Sequence, residues 1–152
     1  MELIIIRGRQ NDGKTTTATL LHNEFVGRGA NLKLLKTNGN YLSVNNWIVD
    51  FQSVLDFGKK RIVIISEGDD DDRLAELMEG LVFDYRPDIV VVCARYYDRI
   101  GSSYRMLKEN YKDLIKTENV FWTEFSDDRA KMIDVKRPIV EILSKEYRQY
   151  NY

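Results

Sequence analysis

Apolar positions along this chain follow two different spacings, which predict strands and helices in alternation. Short unbroken runs rich in Ile, Val and Leu predict buried strands, and apolar residues three or four positions apart predict helices with one buried side. The predicted strands are Leu3–Ile6, Leu32–Lys36, Ile48–Asp56, Arg61–Ser66, Ile89–Ala94 and Val120–Phe125. The predicted helices are Thr16–Val26, Asp71–Asp84, Ser102–Lys116 and Asp127–Tyr147. Pro138 is expected to kink the last helix or to split it in two.

The order of these elements predicts an α/β fold. Because strands alternate with helices, right-handed crossovers should give a three-layer sandwich with a mostly parallel central sheet between helices. The residues from Phe57 to Lys60 have the composition of a turn, so the strands around them should add an antiparallel hairpin to the sheet. In such a fold, ligands bind beyond the carboxyl ends of the parallel strands.

Composition narrows the class of protein. A chain of 152 residues is long enough for one domain with a single core. Its 23 basic and 24 acidic residues give a net charge of −1, which argues against nucleic acid or an anionic membrane as a partner of the whole molecule. Cys93 lies in an apolar run and is expected in the core, and without an export signal or a membrane-length apolar run we expect a cytoplasmic protein.

The most informative segment follows the first strand. Gly8–Thr15 reads GRQNDGKT and matches the phosphate-binding pattern G-x-x-x-x-G-K-[ST]. The glycines let the backbone turn its N–H groups inward, the next helix adds its positive dipole end, and Lys14 brings a full charge to the outer phosphates. The hydroxyl of Thr15 is the expected protein ligand for Mg²⁺. The expected nucleotide-binding residues are Gly8, Arg9, Gln10, Asn11, Asp12, Gly13, Lys14, Thr15 and Thr16.

Through this turn and its flanking strand and helix, the chain resembles the P-loop nucleoside triphosphatase superfamily. The apolar run Ile62–Ile65, followed by Ser66-Glu67-Gly68-Asp69, resembles the superfamily's second motif, in which an acidic residue at a strand end holds magnesium through water. The resemblance implies Glu67 or Asp69, with Thr15, as the metal-holding residues. Ser66 departs from the pattern, because members of the superfamily usually carry an aspartate there. Alternatively, Asp69–Asp72 merely caps the following helix.

The guanine-reading motif [NT]-K-x-D of the superfamily is absent from the sequence, which favours ATP over GTP. The turn also resembles that of partition-type ATPases, except that Arg9 stands where those proteins carry a lysine. Small nucleotide and metabolite kinases are similar in another respect, because an arginine-bearing lid often follows their fourth strand. Arg95 and Arg99 fit that position, which implies Lys14, Arg95 and Arg99 as the catalytic residues. The alternative is a pair of solvated surface arginines.

Three functions remain open from the sequence. The first is Mg²⁺-dependent ATP hydrolysis or phosphoryl transfer to a small-molecule acceptor. The second is a partner-binding module or switch that holds nucleotide without turning it over. The third, an ATPase associated with nucleic acid, depends on the basic aromatic segment from Arg95 to Lys112, which also fits a solvated helix with partly buried tyrosines. His22 is expected to be structural, since the helix should direct it away from the phosphates.

Overall fold

The structure is a computed structural model that describes residues 1–9, 12–37, 50–121 and 129–145, and, for residues 129–135 and 145, the backbone alone. Within these ranges the chain forms six strands and four α-helices. The strands are β1 (Glu2–Gly8), β2 (Asn31–Thr37), β3 (Phe51–Phe57), β4 (Lys60–Ile65), β5 (Ile89–Arg95) and β6 (Ile115–Phe121). The helices are α1 (Lys14–Gly27), α2 (Asp71–Tyr85), α3 (Ser103–Tyr111) and α4 (Arg129–Lys145).

The strands form one mixed sheet in the order β2-β3-β4-β5-β1-β6. The pairs β4–β5, β5–β1 and β1–β6 are parallel, whereas β2–β3 and β3–β4 are antiparallel. The α/β class, the mostly parallel sheet and the added hairpin are therefore confirmed. β5 lies between β1 and β4, so the turn that follows β4 starts two strands away from the turn that follows β1.

Helices cover both faces of the sheet, and β1 contributes alternate residues to each side. One core joins β1 to α1 and α4 and includes Ile4, Ile6, Phe25 and Leu143. The other joins β1 to α2 and α3 and includes Leu3, Ile5, Met78 and Leu107. The same two-sided burial explains the unbroken apolar run of β5, in which every residue from Ile89 to Ala94 is buried. No helix among the described residues has the length and apolar character needed to cross a membrane.

Two predicted elements differ from the structure. The helix predicted over Ser102–Lys116 ends at Tyr111 and is followed by a short 3-10 helix, Lys112–Leu114. β6 therefore begins at Ile115 and not at Val120. Among the described residues β6 pairs with β1 alone, and its first half alternates half-buried with exposed residues. Because several of these residues are polar, the first half of β6 does not form an apolar run.

The remaining predicted boundaries differ by a few residues or extend beyond the described ranges. β3 is described from Phe51, and the predicted residues Ile48 and Val49 before it lie outside the described residues. The same holds for residues 122–125 of the last predicted strand and for both ends of the last predicted helix. Pro138 was expected to kink the last helix or to split it, and the structure excludes the split, because Pro138 lies inside one continuous helix.

Candidate functional site

Three turns meet at the carboxyl edge of the sheet, where the sequence predicted a ligand site. They follow β1, β4 and β5, and one carboxylate joins them: Asp69 Oδ1 lies 3.6 Å from Lys14 Nζ and 3.3 Å from Arg95 Nε. A negative group between two positive ones is stabilised by both. Lys14, Asp69 and Arg95 thus form the centre of the candidate site.

The turn after β1 is closed by its own backbone and by one aspartate. Asp12 is buried, its Oδ2 accepts a hydrogen bond from the backbone N–H of Arg9 at 2.8 Å, and its own N–H donates to the carbonyl of Arg9 at 3.2 Å. Gly13 has a φ of 89°, a left-handed conformation that glycine adopts without strain. The predicted residues Gln10 and Asn11 lie outside the described residues.

Lys14 points into this turn and not into solvent. Its side chain is 8% exposed, and Nζ donates to the carbonyl oxygens of Gly8 at 3.0 Å and Arg9 at 3.3 Å. These carbonyls and the half-exposed carboxylate of Asp69 partly compensate for the buried charge. The ammonium group therefore lies within the turn, at the start of α1.

The first turn of α1 is built differently from those of α2 and α3. Asp70 caps α2 by accepting from the N–H of Arg73 at 3.1 Å, and Ser102 caps α3 by accepting from the N–H of Arg105 at 3.1 Å. By contrast, no described side chain caps α1, and its first turn carries no acidic residue. Its N–H groups and positive dipole end are thus directed at the turn, with half-buried Thr16 beside them.

Thr15 has a partner that the sequence analysis did not identify. Its hydroxyl donates to Asp50 Oδ1 at 3.0 Å, and Ser66 Oγ lies 3.4 Å from the same oxygen. Burial raises the pKa of Asp50, the hydrogen bond from Thr15 opposes that shift, and the negative charges of Glu67 and Asp69 raise the pKa further. The carboxylate is therefore part of a concentrated acidic environment around the Thr15 hydroxyl.

A signal for Asp50 was present in the predicted hairpin. In an antiparallel pair, the start of one strand lies beside the end of the other, so the residue before β3 had to lie close to Ser66 at the end of β4. The structure has this pairing, with the N–H of Ser66 donating to the carbonyl of Phe51 at 3.0 Å. The predicted acidic edge after β4 thus gains a carboxylate from the neighbouring strand.

The two carboxylates predicted to hold metal face different partners. Glu67 accepts from Arg73 Nε at 2.8 Å and from Gln52 Nε2 at 3.2 Å, whereas Asp69 faces Lys14 and Arg95. Of the two, Asp69 is the one placed at the turn after β1. The capping alternative holds for the residue that follows it, since Asp70 caps α2, and the neighbouring carboxylates of Asp71 and Asp72 continue that exposed acidic turn.

Gly68 lets the acidic turn cross the end of β5. A Cβ built on Gly68 would lie 1.6 Å from the carbonyl oxygen of Cys93, so any side chain would collide with backbone. The hydroxyl of Ser103 donates to the carbonyl of Gly68 and accepts from the N–H of Arg95, the latter at 3.0 Å. This contact fastens the turn to β5 and α3 and holds Asp69 beside Lys14.

The two predicted catalytic arginines are placed differently. The Nε–H of Arg95 is buried and, among the described residues, has no aligned hydrogen-bond acceptor, although Asp69 is within ion-pair distance. Arg99 is exposed, and its guanidinium lies over the ring of Tyr97, 4.3 Å from the centroid. Asp98 pairs with Lys108 of α3 at 2.6 Å, which fastens this segment. Only Arg95 reaches the candidate site.

Three residues outside the candidate site, His22, Cys93 and Tyr104, pack in the interior. His22 is buried, with Nδ1 3.0 Å from Ser53 Oγ, and burial lowers its pKa to about 4. Cys93 is fully buried, and burial raises its pKa to about 12. In the basic aromatic segment, Tyr104 is buried with its ring under the guanidinium of Arg7 at 3.5 Å. The roles expected for His22 and Cys93 as core residues agree with these positions.

The oxygen donors of the candidate site suit a hard cation. Thr15 offers a hydroxyl, and Asp50 and Asp69 offer carboxylate oxygens, which are the ligand types that Mg²⁺ prefers. The donor set therefore fits the metal that the sequence predicted. Comparison with family models, curated proteins and solved structures finds no match for this chain.

Proposed function

We propose that this chain binds ATP with Mg²⁺ at the carboxyl edge of its sheet and transfers the γ-phosphoryl group. One observation carries the proposal: the ammonium group of Lys14 is nearly buried inside the turn after β1, on the carbonyls of Gly8 and Arg9. A nearly buried ammonium group beside the uncapped start of a helix suits phosphate, since it combines full charge with directed hydrogen bonds. The likeness of Gly8–Thr15 to the turn of P-loop nucleoside triphosphatases supports the same ligand.

The uncapped start of α1 supports an anionic ligand. α2 and α3 satisfy their first N–H groups with Asp70 and Ser102, whereas no described side chain does this for α1. Phosphate oxygens would accept from these N–H groups and interact favourably with the helix dipole. Lys14 would then bind the outer phosphates, and Asp12 would keep the turn closed.

Thr15 and a carboxylate of the acidic edge would hold Mg²⁺, which supplies neutralisation of the charge on the β and γ phosphates. Arg95 would stabilise the negative charge that grows on the γ-phosphoryl group in the transition state. Its buried Nε–H lacks an aligned acceptor among the described residues, and a phosphoryl oxygen would supply one. Arg99 has no such position, so we assign the catalytic guanidinium to Arg95 alone.

ATP is assigned as the nucleotide because the sequence lacks the guanine-reading motif. The phosphoryl acceptor is either water or the hydroxyl or phosphate of a small molecule. The two give different products: water yields free phosphate, whereas a small molecule yields a phosphorylated product and no free phosphate.

The test combines binding and turnover. Titration calorimetry with ATP and with GTP, each with Mg²⁺, measures nucleotide affinity. An ADP-formation assay with and without nucleoside monophosphates measures turnover, and phosphate release in the same samples shows whether the acceptor is water. We expect binding that favours ATP, together with turnover in at least one acceptor condition. ATP binding without any turnover would support a nucleotide-binding switch instead, and absence of binding would overturn the whole proposal.

A further inference from the structure

Ser66 stands at the end of β4, where the resemblance to P-loop nucleoside triphosphatases predicts an aspartate. The structure places a carboxylate within contact of that serine. Asp50 is the residue before β3, and its Oδ1 lies 3.4 Å from Ser66 Oγ. A negative charge thus lies at the strand end although the strand itself does not carry it.

The hairpin fixes this carboxylate in place. The N–H of Phe51, next to Asp50, donates to Ser66 Oγ at 2.8 Å, and the N–H of Ser66 donates back to the carbonyl of Phe51 at 3.0 Å. These two hydrogen bonds hold the backbone of Phe51 and Ser66 together, next to the Asp50–Ser66 contact. The serine therefore serves as a connector between the two strands, and Asp50 projects from it toward α1.

Asp50 is also the carboxylate that receives the hydroxyl of Thr15, at 3.0 Å. The alternatives are engaged elsewhere, since Glu67 pairs with Arg73 and Asp69 with Lys14 and Arg95. We propose that Asp50 takes the role of the missing strand-end aspartate: it orients Thr15 and holds Mg²⁺ beside the triphosphate. This inference rests on the proposed function and adds to it the residue that makes nucleotide binding depend on the metal.

The charge of Asp50 predicts two effects of opposite sign. Without metal, the carboxylate repels the triphosphate, so Asp50→Asn should bind ATP in EDTA as tightly as the unchanged protein or more tightly. With Mg²⁺, the negative charge of Asp50 favours ATP binding because it attracts the metal. The variant should therefore lose most of the affinity for ATP that Mg²⁺ adds, a loss of about 10–100-fold. A purely structural role would weaken binding in both buffers.

The experiment measures the affinity for ATP by calorimetry in EDTA and in Mg²⁺ and compares the ratio of the two constants. Asp72→Asn is the matched control, because it removes one negative charge from the exposed acidic turn without touching Thr15. We expect Asp72→Asn to have the same ratio of ATP affinities in Mg²⁺ and in EDTA as the unchanged protein. Each ratio comes from one protein sample, so a partly unfolded fraction affects both constants equally. If Asp50→Asn does not fold, Asp50→Ser carries the same expectation.

The outcomes separate the two proposals. If the unchanged protein binds ATP with a Mg²⁺ gain that Asp50→Asn retains, while Asp69→Asn loses it, the role of Asp50 is overturned and the proposed function stands. Loss of affinity by Asp50→Asn in both buffers likewise overturns the metal-holding role. If the unchanged protein binds ATP in neither buffer, both proposals fall together.

Discussion

Gly68 and Cys93 approach so closely that no side chain fits between them: a Cβ on Gly68 would lie 1.6 Å from the carbonyl oxygen of Cys93. The close approach follows from strand order. Because β5 separates β4 from β1, the acidic turn after β4 must cross the end of β5 for Asp69 to meet Lys14. This glycine is therefore a requirement of the site as well as of the fold.

Gly68→Ala should displace the acidic turn, because the colliding atoms belong to backbone and cannot rotate away. We expect a loss of about 1–3 kcal/mol in the free energy of unfolding and a clear loss of ATP turnover, measured by urea denaturation and ADP formation. Gly80→Ala is the control: Gly80 lies in α2 with open space around its Cβ position, so alanine should stabilise by about 0.5–1 kcal/mol. Equal effects of the two substitutions would contradict the crossing requirement.

Lys14→Ala should remove the positive charge from the turn after β1. We expect ATP affinity to fall by about 10–100-fold, as for the loss of charged hydrogen bonds, and turnover to disappear. Lys112→Ala removes a charge from the exposed 3-10 helix and should leave both unchanged. Calorimetry and ADP formation check this, and an unaltered Lys14→Ala protein in both assays would refute the assigned role of the lysine.

The sequence predicted the elements whose pattern is set by burial on both sides. β5 reads as an unbroken apolar run because both of its faces are covered, and α2 shows a clear helical spacing around Leu74 and Met78. β6 was predicted five positions too late because an edge strand tolerates polar residues such as Thr117 and Asn119. Local pattern therefore predicts central elements well and edge elements poorly.

The candidate site was predictable where a residue type follows from backbone geometry. The spacing of Gly8, Gly13 and Lys14 predicted the turn, since phosphate binding needs glycines and a cation at fixed distances. Asp50 and the different placement of Arg95 and Arg99 depend on tertiary contacts: the carboxylate comes from the neighbouring strand, and Tyr97 stacks with the outer arginine. The antiparallel pairing of the predicted hairpin indicated the position of Asp50, whereas no spacing along the chain records the contacts of the two arginines.

Arg95 and Arg99 should differ sharply in a kinetic test. Arg95→Ala removes the guanidinium next to Asp69, and we expect kcat to fall about 100-fold or more with a much smaller effect on ATP affinity. Arg99→Ala is the matched control, because that side chain is exposed on Tyr97 and should leave kcat near its original value. Steady-state kinetics together with calorimetry separate the two effects. Equal losses of turnover in both variants would favour a lid that uses the whole segment.

His22 should make the stability of the fold depend on pH. It is the single histidine of the chain, buried against Ser53 and Phe51, and burial lowers its pKa from 6.5 to about 4. Below pH 6.5 the unfolded chain binds a proton that the folded chain does not, so the free energy of unfolding falls as the pH drops, by about 3 kcal/mol at pH 4. Above pH 6.5 His22 is neutral in both the folded and the unfolded chain, so it lowers the free energy of unfolding only below that pH.

His22→Asn isolates this effect, because the asparagine side chain can still contact Ser53 but does not titrate. Urea denaturation of both proteins at several pH values from 7.5 to about 4 gives the difference in unfolding free energy, from which the shared carboxylate titrations cancel. We expect the difference to change steadily below pH 6.5 in favour of the variant and to be constant above it. A difference that stays flat across the whole range would show that His22 is protonated in the folded protein as readily as in the unfolded chain.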